Sequence, residues 1–441
     1  MQSTGIVMAA ILLSRFLGFL REWTVAHQIG SGNVTDTYYA AFTLPDFLNY
    51  LVAGGALGVI FIPVFTKYLA EDREDEGWHV FSTVMSFMTL VLIILVSLGE
   101  ILVPYLVGVI APGFDPAEKA RVVFLTRLML PAQIFFYLGS VMAAVQYAKG
   151  RYLIPSLAAV IYNLGIILGG WLLSSRMGIT GFAFGLIAGA FCGYILLQSI
   201  AVVRIGARFS PNLNLRHPGF RLFLKLAVPI MVALSVVISD EWIIRWFGSF
   251  LQPASITWLT YAKALIRVPL GVVSQAVGIA SFPLLAQLYS ENKLNDLNRI
   301  LNTSIKGLII LLVPISAFTI VLSVPLVTLV FSHTRLRETD IHSTAAALVF
   351  FSLGMFAWGV QNLLTRGFYA ARDTLTPAII GTSFTFLNIP VYWFCMKHWQ
   401  HLGLALASSI GIIGYTVTIF AFLQRRTKNR EVASLLFFLL K

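Results

Sequence analysis

Apolar stretches of about 20 residues, each long enough to cross a ~30 Å hydrocarbon core, recur from one end of this 441-residue chain to the other. Inside lipid every backbone N–H and C=O must find its partner within the protein, which leaves helices or a closed barrel. The ~10-residue alternating segments of a transmembrane barrel are absent from the sequence. Only 11% of residues are charged and 58% are hydrophobic, against roughly 25% charged in soluble domains. These features exclude an ordinary soluble enzyme, a disordered chain and a fibre. They predict an all-α polytopic membrane protein.

Twelve spans are predicted, near 4–28, 35–68, 78–108, 120–147, 153–174, 180–204, 221–248, 255–288, 300–331, 342–370, 375–396 and 402–424. Several exceed 20 residues, so tilts and kinks are expected. The first lacks a basic n-region and its helical pattern runs on through Arg15 and Arg21, so it reads as a retained span and not a cleaved signal. Lys and Arg concentrate in cytoplasmic loops. With the N-terminus inside, the inner loops and tail hold Lys67, Arg73, Lys149, Arg151, Arg204, Arg208, Arg216, Arg221, Lys225, Lys293, Arg299, Arg366, Arg372, Arg425, Arg426, Lys428 and Arg430. The outer loops hold fewer: Lys119, Arg121, Arg176, Arg335, Arg337 and Lys397. Both termini are therefore expected in the cytoplasm. Topology accounts for most of the net charge of +12, and no nucleic-acid partner is expected.

The two halves repeat. Tyr147 and Pro155 recur as Tyr369 and Pro377, 222 residues later, and Gly181, Ala183 and Gly189 recur as Gly403, Ala405 and Gly411 at the same offset. Gly58, Pro63 and Glu71 recur as Gly278, Pro283 and Glu291 at an offset of 220. Six spans per half is an even number, so both halves enter from the same side. That predicts two parallel six-helix lobes related by an axis along the membrane normal, a transporter architecture. The lobes are placed at 1–208 and 221–424, with a cytoplasmic linker at 209–220 and a basic tail at 425–441.

Charges inside spans are costly and should face a cavity or a partner. The first span carries Arg15, Arg21 and Glu22. Arg15 and Glu22 are seven apart and share a helix face, whereas Arg21 points away unless Gly18 bends the helix. Two readings stand side by side: an internal ion-pair set completed by Asp36, or an anion site facing a central cavity. The seventh span carries Asp240, Glu241 and Arg245, and the eighth carries Lys263 and Arg267. Lys263 and Arg267 are i, i+4 and repel, so they need anions, either those carboxylates or a ligand. Asp240 with Asn388 is a candidate cation site. Asn163, Asn362 and Asn388 itself also read as interhelical contacts. No Walker A motif or HExxH occurs. Cys192 and Cys395, the two cysteines, suggest no disulfide or metal framework.

The blocks Ser14-Arg15-x-x-Gly18-x-x-Arg21-Glu22, Thr35-Asp36-x-x-x-x-Ala41-Phe42-x-Leu44-Pro45, Gly54-Gly55-Ala56 and Phe61-Ile62-Pro63 resemble the MurJ (MviN) family. This is a family of lipid II flippases within the multidrug/oligosaccharidyl-lipid/polysaccharide (MOP) exporter superfamily. The similarity continues at Tyr261-Ala262 through Pro269, at Gly278 and Pro283, and at Gly367-Phe368-Tyr369-Ala370 with Asp373-Thr374 and Pro377. The resemblance implies two six-helix lobes around a central cationic cavity and export of undecaprenyl-pyrophosphate-linked peptidoglycan precursor. It implies a multi-pass protein of the bacterial cytoplasmic membrane, functioning as a transporter and not an enzyme in cell-wall synthesis. Substrate contacts are then expected from Arg15, Arg21, Asp36, Lys263 and Arg267, supported by Glu22, Asp240, Glu241 and Arg245. Where well-studied members carry a basic residue after Leu-Pro-x-Leu-Leu, this chain has Asn49, and on the eighth span the usual Arg reads Ala264 while a usual acidic position is Arg267. The family usually has fourteen helices, and this chain has room for twelve.

The expected partners are lipid II and membrane lipids, with the chain monomeric and without a cofactor. Sodium, protons or the membrane potential would supply coupling. The rivals are another MOP-type exporter (a polysaccharide-unit flippase or a cation-coupled drug exporter), a membrane enzyme acting on polyprenyl phosphates, and a scaffold for cell-wall enzymes. A drug exporter for cations should favour carboxylates over the arginines of the first span, and the enzyme would need a clustered acid/base or metal site.

Overall fold

A computed structural model describes residues 2–51, 56–235, 240–371, 373–427 and 429. Gly54, Gly55, Arg372 and most of the basic tail lie outside them. The described residues are helical, without strands, and the chain divides into two compact units, Met1–Val236 and Val237–Lys441.

The first unit contains α1 (Gln2–Gln28), α2 (Asn33–Ala41), α3 (Thr43–Leu51), α4 (Ala56–Ala70), α5 (Glu74–Ile110), α6 (Pro116–Met129), α7 (Ala132–Ala148), α8 (Leu153–Met177), α9 (Thr180–Ala190), a π-helical turn (Phe191–Leu196), α10 (Leu197–Arg204) and α11 (Pro218–Ser235). The second contains α12 (Asp240–Gly248), α13 (Ser255–Ser290), α14 (Leu294–Val321), α15 (Ser323–Phe331), α16 (Glu338–Ser352), α17 (Met355–Ala370) and α18 (Leu375–Thr427). Seven helical stretches among the described residues are long and apolar enough to cross a membrane, and an eighth forms if α16 and α17, bent by 47°, make one span. The chain is thus a multi-pass membrane protein. One of the seven, α18, holds the eleventh and twelfth sequence spans, folded at Gln400. Other spans are single helices, such as α1, α5, α8 and α13, and some are divided: the second between α2, α3 and α4, and the seventh between α11 and α12. The face of α5 bearing Ile94, Ile101, Tyr105 and Val109 is exposed, as suits a helix solvated by lipid tails.

The repeat is visible in the backbone itself. Asp72 and Asn292, 220 apart, both adopt left-handed φ values, 52° and 57°, before α5 and α14. Gly178 and Gln400, 222 apart, do so at 57° and 48°, where the fifth span of each half turns into the sixth. The starts of α6 and α16 match as well. Glu118 Oε2 accepts from Asp115 N at 2.9 Å and Asp340 Oδ2 accepts from Arg337 N at 2.8 Å, again 222 residues apart.

Packing in each unit follows membrane rules, with small residues where backbones approach. Helices α8 and α9 meet through glycines: a Cβ on Gly165 would lie 2.4 Å from Gly189 Cα, and one on Gly185 2.4 Å from the Gly165 carbonyl oxygen. The first unit's core gathers Phe61, Phe65, Trp78, Phe81, Phe220 and Phe223, so α11 belongs to it by packing on α4 and α5. The second core is built from Leu285, Leu301, Leu308, Leu312, Leu363 and Phe368. The acidic run after α4 is tied down: Arg73 bonds Glu71 at 2.9 Å and Glu76 at 2.6 Å, and Arg208, just before the linker, bonds Asp75 at 2.7 Å.

Candidate functional site

In the first unit the charges of α1 meet α2 and α8. The Arg21 guanidinium donates to Glu22 Oε1 from Nη2 at 2.5 Å and from Nε at 3.1 Å. Its Nη1 lies 3.5 Å from Asn163 Oδ1 on α8. The Tyr39 hydroxyl donates to Glu22 Oε2 at 2.5 Å, so both carboxylate oxygens are engaged. Glu22 is 4% exposed, whereas the Arg21 side chain keeps 23% of its surface. The guanidinium therefore retains N–H groups for an anion while its charge is balanced. Adjacent helical residues point about 100° apart, and the long arginine side chain spans that angle. Arg15, one face away, is exposed, and Asp36 is buried in the first turn of α2. Asn163 holds the frame by donating to the Ala159 carbonyl at 2.9 Å and contacting Ser14 at 3.4 Å.

In the second unit the cations of α13 meet carboxylates of α12. Lys263 bonds Asp240 and Arg267 bonds Glu241, with Arg245 3.7 Å from Glu241. Lys263 and Arg267 thus have the helix carboxylates as the company their mutual repulsion requires. Asp240 is a junction: it also accepts from the Tyr392 hydroxyl and from Ser408 Oγ, the latter at 2.8 Å. Asp240, Asn388, Tyr392 and Ser408 line one cavity of about 90 Å³. Asn388 donates to the Ala407 carbonyl at 2.9 Å, leaving its amide oxygen for a ligand. Sequence reasoning missed Tyr392 and Ser408. Asn388 and Tyr392 are i, i+4 and share a helix face, a signal that could have found the tyrosine. Among the described residues no three His, Cys, Asp or Glu side chains cluster as a metal site.

Glu100 and Arg127 form a separate pair at 3.7 Å between α5 and α6. Arg366 binds Asn362 at 3.2 Å and Gln275 at 2.9 Å.

The family model described as lipid II flippase MurJ matches residues 25–441. The chain belongs to the MurJ family. A MurJ relative from Buchnera aphidicola subsp. Schizaphis graminum, described as a probable lipid II flippase, is 28% identical over 408 residues, covering 90% of this chain and 78% of that protein. A solved structure, lipid II flippase MurJ in an inward closed conformation, superposes with TM-score 0.81 at 23% identity, over 98% of this chain and 90% of that one. An inward-facing MATE-family multidrug transporter of the MOP superfamily shares the fold at TM-score 0.73 and 14% identity, over 96% and 98% of the two chains. The MurJ fold is thus a MOP transporter fold, and MurJ proteins are named as flippases, not enzymes.

Proposed function

We infer that this chain is the flippase that carries lipid II from the inner to the outer leaflet of a bacterial cytoplasmic membrane. The observation that carries the reading is the family match over nearly the whole chain. The chemistry of α1 supports it. A pyrophosphate presents several anionic oxygens, and a guanidinium binds such oxygens through paired N–H groups. Arg21, with Glu22 and Tyr39 setting its orientation, is the group we assign to that contact, with Arg15 on the exposed face of the same helix. The polyprenyl tail stays in lipid while the headgroup passes through a hydrated path by alternating access. Binding alone drives no net transport, so a gradient must bias the cycle. We assign cation coupling to the Asp240 cavity, where Asn388, Tyr392 and Ser408 supply neutral oxygens beside one carboxylate. A bound sodium ion or proton there would compete with the Lys263 ammonium for Asp240.

The test is complementation. A bacterium depleted of its own lipid II flippase should regain growth and outer-leaflet lipid II when this chain is expressed. Normal membrane abundance without rescue overturns the reading.

Orientation is a separate expectation, with both termini and the linker cytoplasmic. In a Cys192→Ser background, Leu213→Cys should resist an impermeant thiol reagent in intact cells and Arg335→Cys should react. Both positions are exposed. Labelling at 213 and not at 335 reverses the topology.

A further inference from the structure

The repeat places equivalent cavities in the two units, and they have diverged. Phe136, Tyr162 and Leu186 line a cavity of about 310 Å³ in the first unit. Their counterparts 222 residues on, Trp358, Phe384 and Ser408, line the Asp240 cavity of about 90 Å³. The larger cavity is within the ~300–1,000 Å³ range of small-molecule sites. Its wall is aromatic: Phe136 stands edge-to-face between Tyr162 and Tyr194, with ring centroids 5.2 and 4.9 Å apart and interplanar angles of 83° and 85°. Tyr194 is carried on the π-helical turn, a local widening that often marks functional sites. Its backbone lies so close to α7 that a Cβ on Gly139 would meet Tyr194 Cβ at 2.5 Å.

Three of the polar groups of this cavity are unspent. Gln133 is 9% exposed, and its amide has no hydrogen-bond partner among the described residues. The Tyr162 and Tyr194 hydroxyls likewise have none there. Asn49, an amide at the position where the resemblance expects a cation, Asp46 and Ser140, whose hydroxyl donates to the Tyr137 carbonyl at 2.8 Å, complete the polar lining. Amides and phenols together offer both donors and acceptors, which is what sugar hydroxyl and N-acyl groups require. Asp46 by itself would suit an organic cation, but such a ligand would leave the amide and phenol donors without acceptors, and a buried donor without one is unfavourable. Tyr162 also lies within electrostatic reach of Arg21, and its chain neighbour Asn163 contacts that guanidinium. The cavity therefore adjoins the group assigned to the pyrophosphate.

We propose that this first-unit cavity is the saccharide subsite for the lipid-linked headgroup, with Gln133, Tyr162 and Tyr194 as its specificity-determining contacts. It rests on the lipid II reading and adds where the sugar is recognised. The test uses the full chain in lipid nanodiscs and three probes: lipid II, the same lipid-linked disaccharide without its peptide, and undecaprenyl pyrophosphate. The combined variant Gln133→Met, Tyr162→Phe, Tyr194→Phe nearly preserves volume and the aromatic wall. It should weaken both saccharide-bearing probes about tenfold, since each lost neutral hydrogen bond contributes about a two- to tenfold effect, and leave undecaprenyl pyrophosphate unchanged. Equal weakening of all three probes, no weakening, or weakening only when the peptide is present overturns the subsite. So does binding of tetraphenylphosphonium that the variant abolishes. Wild-type protein that binds none of the polyprenyl probes overturns the lipid II reading as well.

Discussion

Arg21→Ala is expected to eliminate flippase complementation, and the double variant Arg21→Ala, Glu22→Gln should show why. Glu22 is buried, and the loss of Arg21 strands its charge with the Tyr39 hydroxyl as its one remaining hydrogen-bond partner among the described residues. Breaking a buried pair costs about 3–5 kcal/mol, so the single variant should also accumulate poorly in membranes. Neutralising Glu22 at the same time removes the stranded charge, and abundance should return. If Arg21 serves only that pair, activity returns with abundance. If it holds the pyrophosphate, the double variant accumulates normally and still neither binds lipid II nor complements. Arg21→Lys sharpens the distinction. It keeps the charge beside Glu22 but loses the planar fork, so abundance should hold while lipid II affinity drops by about ten- to a hundredfold, the scale of one charge-assisted hydrogen bond. Full complementation by the double variant would exclude Arg21 from the substrate site.

Asp240→Asn should have the second-largest effect. It leaves the Lys263 ammonium, whose side chain is 14% exposed, without its carboxylate, and takes the charge from the Tyr392 and Ser408 hydrogen bonds. Reduced membrane abundance follows for the same electrostatic reason as at Glu22. Adding Lys263→Met should restore abundance, because an apolar side chain of similar length replaces the unpaired cation. The readout that separates support from coupling is the dependence of transport on sodium and on pH. In a cation site built on Asp240 the restored double variant only equilibrates lipid II between leaflets and responds to neither gradient. An unchanged response in that variant would move the coupling site elsewhere.

The membrane class, the duplication and the charged first span were legible in the residues. Hydropathy is a local property that sums along a span, and the equal offsets of Gly, Pro and Tyr reappear as equal offsets in left-handed backbone positions at Asp72 and Asn292 and at Gly178 and Gln400. Helix 1 also announced itself, since ionisable residues inside an apolar run need a reason. Span boundaries were less legible. Gln400 breaks α18 with no proline or glycine at that position.

Hydropathy, duplication and charge therefore specify the kind of molecule: helices in lipid, a twofold repeat, and a set of intramembrane charges that had to be satisfied. Tertiary structure decided how they are satisfied. Helical spacing aligned Glu22 with Arg15, but the observed bond is to Arg21, held in a frame closed by Tyr39 and Asn163. Spacing left Lys263 and Arg267 in need of anions. Packing of α13 on α12 supplied Asp240 and Glu241, and the fold of α18 brought Ser408 to Asp240 from 168 residues away. The amide of Gln133 and the phenols of Tyr162 and Tyr194 became one cavity only because a π-helical turn and glycine contacts set three helices at close range. The physical reason is that the cost of burying a polar group can be read one residue at a time, whereas the partner that offsets it is fixed by the rotation and approach of whole helices.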